Sequence, residues 1–135
     1  MVDSGVTCTE EIGTAFNSIH KSEARFMVAA FDGDTTIKLD AQGGRDATFD
    51  DFAKAMSADE PRYAVYDLEW SDKEGRHQRK VLFIVFIPDG SKVADKFKYS
   101  NGKTTFRSKI GHVNKDVTIN DRLDLTEAYL LEQFE

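Results

Sequence analysis

Two stretches decide the fold: RYAVYDLEW at residues 62–70 and KVLFIVFI at residues 80–87. Both are rich in the β-branched and aromatic residues that suit strands, and the charged SDKEGRHQR between them, with its one glycine, reads as a protruding hairpin tip. Every position of 81–87 is apolar. A strand with one wet face alternates, so an unbroken apolar run implies burial on both faces. Helices must then cover both sides of the sheet, which gives an α/β protein built as a three-layer α/β/α sandwich. A second hairpin upstream makes the central sheet mixed, with about five strands.

Upstream, Thr9 is placed to cap a helix that opens on Glu10 and Glu11 and carries Ile12, Ala15, Phe16 and Ile19 at helical spacing. Residues 24–31 read as a strand, Asp32-Gly33-Asp34 as a turn, 35–39 as the returning strand and 42–45 as a loop. Thr48 opens a helix with Phe49, Phe52, Ala53 and Met56, bounded by Pro61. Downstream, Ser91 is placed to cap a helix running to about Ile110. At ~100° per residue, Lys92, Lys96, Lys103 and Arg107 fall within ~60° of one another and form one basic stripe. The apolar residues divide, Val93 and Phe97 near ~120° and Phe106 and Ile110 near ~−20°. One straight helix cannot bury both pairs against one sheet, and Asn101-Gly102 lies between them, so a bend or break is expected there. Residues 117–119 read as a short edge strand. Asp124 and Glu127 have the spacing of a capping box for a last helix that packs Leu130, Leu131 and Phe134 inward.

The chain has 135 residues and a net charge of −6, a size that fits a single domain over 1–135. The charge is uneven: residues 92–115 hold seven bases against one acid, while the remainder holds 11 bases against 23 acids. A basic segment on an acidic protein attracts an acidic partner locally while the bulk charge limits indiscriminate polyanion binding. Nucleic acid is not the expected partner, because no aromatic stacking motif accompanies these lysines. His20, His77 and His112 fall in three different elements without metal-ligand spacing, the glycines form no phosphate-binding loop, and Ser4-Gly5 follows no strand, so neither an enzyme nor a cofactor is expected. Cys8 reads as an unreactive, half-buried thiol. The opening MVDSGVTCTEE has no basic start or apolar run, and no apolar run approaches the ~20 residues of a membrane span, so a cytoplasmic chain without membrane insertion is expected. A monomer is expected as well.

The order helix, hairpin, helix, hairpin, long helix, short strand, final helix resembles the actin-depolymerising factor/cofilin family. Ser4-Gly5-Val6, Thr14-Ala15-Phe16-Asn17, Tyr63-Ala64-Val65-Tyr66-Asp67 and the run from Pro88-Asp89 to Lys96-Phe97-Lys98-Tyr99 match it locally and in order. The resemblance implies the actin-depolymerising factor homology fold and a protein that binds actin monomers and filaments and promotes filament depolymerisation. It places monomer contacts on Ser4, Gly5, Lys96, Lys103, Arg107 and Lys109, and further filament contacts on Arg79, Lys80 and Glu132. It also implies that phosphorylation of Ser4 switches binding off, and that the basic helix binds phosphoinositide headgroups in competition with actin.

The chain departs from the family pattern at several positions. Ala94 replaces an early basic residue of the long helix, Phe86-Ile87-Pro88 replaces a tryptophan-containing run, Asn101-Gly102 replaces a serine pair, and Gln133 stands where a base often follows the glutamate. The filament site is therefore thinner than the monomer site, and weak severing is expected. The alternative on the same fold is a module like glia maturation factor, which engages the actin-nucleating complex and debranches filaments.

Overall fold

The computed structural model describes residues 6–56 and 60–134. In chain order its elements are β1 (Thr7–Cys8), α1 (Glu10–His20), β2 (Ala24–Asp32), β3 (Thr36–Gly44), α2 (Phe49–Ala55), β4 (Arg62–Ser71), β5 (His77–Phe86), α3 (Val93–Lys109), β6 (Lys115–Ile119) and α4 (Glu127–Glu132), with a 3-10 turn at Arg122–Asp124 before α4. The strands form one sheet in the order β1-β3-β2-β4-β5-β6, antiparallel inside and parallel at both edges. The sixth strand, beyond the five read from the sequence, is the two-residue β1 beside Thr36 and Ile37.

Alternation along β4 and β5 builds two cores. Tyr63, Val65, Phe83 and Val85 face α1 and α3, while Ala64, Tyr66, Leu82, Ile84 and Phe86 face α2 and the C-terminal segment. All are buried, as the apolar run of 81–87 requires. The first core holds an aromatic column in which Tyr63 lies 5.0 Å from both Tyr99 and Phe106, and Phe83 lies 5.2 Å from Phe106.

Several local features differ from the sequence reading. β3 continues to Gly44, so 42–45 is not a loop. Ala29 pairs with Leu39 but Val28 with Ala41, which leaves Asp40 as a bulge and turns the strand over: Leu39 packs on the first core and Ala41 on the second. Gly43 then lies under Phe26, whose ring leaves no room for a Cβ. The turn between β4 and β5 is tighter than expected, closed by Asp72, whose carboxylate accepts from the backbone N–H groups of Glu74 and Arg76. α2 is capped as read, with a reciprocal Thr48–Asp51 box. Thr9 stands at the N-cap of α1 without a side-chain cap bond, Lys92 rather than Ser91 is the N-cap of α3, and Thr126 rather than Asp124 caps α4. β6 begins two residues earlier than read, at Lys115.

The largest correction concerns α3, which runs through Asn101 and Gly102 without a break. Gly102 is there for close approach. A Cβ would lie 2.6 Å from the Phe31 ring and 2.8 Å from the Tyr63 hydroxyl. The Tyr63 hydroxyl donates to the Tyr99 carbonyl, and the Tyr99 hydroxyl accepts from the Phe31 N–H at 2.9 Å. Burial and the neighbouring Tyr99 push the Tyr63 phenol far above its ordinary pKa, so it stays a donor. Among the described residues no helix is long and apolar enough to cross a membrane.

Candidate protein-binding surface

Tyr99, Gly102 and Phe106 are the buried side of α3. The opposite side carries Val93, 81% exposed, and Phe97, 69% exposed. The two apolar pairs that appeared to demand a bend thus serve two surfaces of one continuous helix, one pair for the core and one for solvent. Sequence reasoning assigned Val93 and Phe97 to the core and so missed them as candidate contact residues, although the signal was present: large apolar residues on opposed faces of a helix whose other exposed residues, Ala94 apart, are polar. Two large apolar side chains held outward together on one helix face make a candidate contact surface.

A basic row borders this apolar pair. Lys103 is exposed, and Lys96 and Arg107 are partly so. Lys92, Lys96 and Lys103 make no ion pair among the described residues, whereas Arg107 donates from Nε to Asp116 at 3.2 Å and from Nη1 to the Gly111 carbonyl at 3.1 Å. Lys103, Thr104, Arg107, Ser108 and Asp116 line a groove of about 240 Å³ between α3 and β6. Lys98 lies off the row. It donates to the Gly33 carbonyl at 3.1 Å and stands 5.3 Å over the Phe31 ring, which ties α3 to the β2–β3 turn. Lys109 also departs from the row. Its stem lies toward Gly13 of α1, and its charge partly opposes the burial that raises the pKa of Cys8. The sequence-predicted set therefore divides: Lys96, Lys103 and Arg107 come together, Lys109 lies on the α1 flank, and Ser4 and Gly5 lie outside the described residues. β1, which begins two positions after Gly5, packs against α3.

The second predicted set lies toward the β4–β5 turn, with Arg79 and Lys80 near the start of β5. Trp70 stacks on Phe134 at 5.7 Å, and Lys115 donates to the Gln133 carbonyl, so the end of α4 and its exposed Glu132 adjoin the end of the sheet from which the β4–β5 turn projects. Arg79 is committed internally. Its Nε donates to both carboxylate oxygens of the fully buried Asp67, at 2.9 and 2.8 Å, and its Nη2 donates to the Ile19 carbonyl at the end of α1. Asp67 also accepts from Arg45 at 2.7 Å, and Glu69 accepts from Arg25 and Arg45 and stands 2.9 Å from His77 Nε2. Burial opposes the charge on Glu69, but the Arg25 hydrogen bond and the charges of Arg45, Arg25 and His77 outweigh it and hold its pKa below the usual range. Lys80 has no ion pair among the described residues. What this arrangement offers chemically is a rigid helix face with an apolar centre and a positive border, suited to an acidic protein surface with an apolar cleft.

Comparison with known proteins agrees with this architecture. The solved cofilin of Streptomyces griseoflavus superposes with a TM-score of 0.84 at 20% identity, covering 94% of this chain and 97% of that one. Plasmodium berghei actin depolymerization factor 2 gives 0.85 at 23%, covering 98% and 97%. At these identities the likeness establishes the fold. In sequence, the chain is 31% identical to the actophorin of Entamoeba histolytica over 124 residues, 90% of this chain and 89% of that protein. It is 28% identical to actin-depolymerizing factor 7 of Arabidopsis thaliana, over 91% and 90%. The model of the cofilin/tropomyosin-type actin-binding proteins matches residues 5–135, nearly the whole length, and to that family the chain belongs.

Proposed function

We propose that this protein acts as an actin-depolymerising factor: a single actin-depolymerising factor homology domain that binds actin monomers through the outer face of α3 and promotes filament turnover in the cytoplasm. The observation that carries the reading is the exposed Val93–Phe97 pair bordered by Lys92, Lys96, Lys103 and Arg107. The names of its relatives, actophorin and actin-depolymerizing factor, point the same way. Ser4 is the proposed phosphorylation switch, since a phosphate adds roughly −1.5 to −2 charge to a surface that must meet an acidic partner. The same basic row is proposed to bind phosphoinositide headgroups.

Filament-side binding is proposed to be weak, because Arg79, one of its three expected contacts, is occupied by Asp67 and the end of α1. That occupation also favours the alternative, a module of the glia maturation factor type that leaves actin itself alone. Co-sedimentation with filamentous actin separates the two. The depolymerising reading expects actin to move to the supernatant with little of this protein in the pellet. If neither changes fraction and monomeric actin is not bound either, that reading fails and the alternative takes its place.

A further inference from the structure

We propose that Asp116 is a built-in competitor for the acidic partner of α3, holding Arg107 back and setting the affinity of the surface below what its bases alone would give. The inference rests on the actin-binding reading above and concerns how that site is tuned.

Four bases border the exposed apolar pair, and three of them make no ion pair among the described residues. Arg107 is the exception: its guanidinium is drawn toward β6 by two bonds, to the Asp116 carboxylate and the Gly111 carbonyl. Nothing in the core requires this carboxylate. β6 buries Val117 and Ile119, while the Asp116 side chain is 58% exposed and lines the groove beside Lys103 and Arg107. The acid within α3 itself, Asp95, lies with Lys98 on another flank of the helix. Asp116 is therefore the carboxylate that an acidic partner must displace to engage Arg107. It also presents a like charge to that partner.

The substitution Asp116→Asn preserves shape and removes the charge. An exposed ion pair of this kind shifts an equilibrium by about two- to five-fold. Titrating monomeric actin should therefore show Asp116→Asn binding about two- to five-fold more tightly than the parent, chiefly through faster association, as expected for a charge at the border of an interface. In an Arg107→Ala background the same change should yield less than half of that gain, because no guanidinium remains to be released. Unchanged or weaker binding by Asp116→Asn would overturn the proposal. So would an equal gain with and without Arg107, which would reduce Asp116 to a general repulsive charge. If the folded parent itself fails to bind monomeric actin, the actin-binding reading falls and takes this inference with it. A binding parent with no Asp116 effect removes the inference alone.

Discussion

Replacing Gly102 with alanine sets two effects of opposite sign against each other. In a solvent-facing helix interior, glycine to alanine stabilises by about 1 kcal/mol. Here the new Cβ would stand 2.6 Å from Phe31 Cζ, 2.8 Å from the Tyr63 hydroxyl and 3.0 Å from Phe31 Cε2, where carbon contacts settle near 3.5–4.0 Å. The Phe31 ring is half-buried and can swing outward. Tyr63 is fully buried and its hydroxyl is bound to the Tyr99 carbonyl, so relief there means lifting α3 from the sheet or breaking that bond. Overpacking of this kind costs about 1–3 kcal/mol, to which a strained buried hydrogen bond adds about 1. The expected net is a destabilisation of about 1–3 kcal/mol, seen as a lower urea midpoint at unchanged m-value. Phe31→Leu, which shortens the ring side of the clash, should recover part of the loss in the double variant. A Gly102→Ala protein that is more stable than the parent would refute the claim that glycine is needed for close approach, and the sequence-based expectation of a weakened helix at that point would return.

Three further outcomes follow from the packing. Arg79→Ala should lower stability by about 1–3 kcal/mol, because it leaves the buried Asp67 with one fewer charged donor, whereas Lys80→Ala should leave the melting curve unchanged and affect only filament co-sedimentation. Ser22 closes α1 at φ 64° in a Schellman-type turn, with Glu23 N–H donating to the Ser18 carbonyl, so Ser22→Gly should raise stability by up to about 1 kcal/mol in thermal melts. The pKa of Glu69 is depressed in the fold, so its stabilisation is complete above its ordinary, unfolded-state value near ~4.3 and is lost as pH falls through the lower folded value. Urea midpoints across that acidic window should fall less steeply for Glu69→Gln than for the parent.

The features legible in the sequence are those set by local pattern. The apolar run of 81–87 required two covered faces, and Thr48 announced the start of α2. β3 was cut short because the Asp40 bulge reverses alternation midway, so a period-two reading stops where the strand does not. The supposed break in α3 came from assigning every apolar residue to the core, a rule that holds in one direction only. Arg79 and Lys80 are neighbours in sequence and look equivalent there. Their difference is decided by Asp67 on the adjoining strand and by Ile19 at the end of α1, 60 residues earlier. Lys109, which the resemblance groups with Lys96, Lys103 and Arg107, is set apart in the same way, by its approach to α1.

The central claim is that the outward face of α3, with Phe97 at its apolar centre, is the actin-binding surface. It is tested most directly by titrating fluorescently labelled monomeric actin with the parent and with Phe97→Asp, after urea melts have established equal stability. Burying a phenylalanine side chain is worth about 1.5–3 kcal/mol, so the account predicts that the parent binds and that Phe97→Asp loses at least about tenfold in affinity. Equal affinity of the two proteins, or no binding by the folded parent, would contradict it.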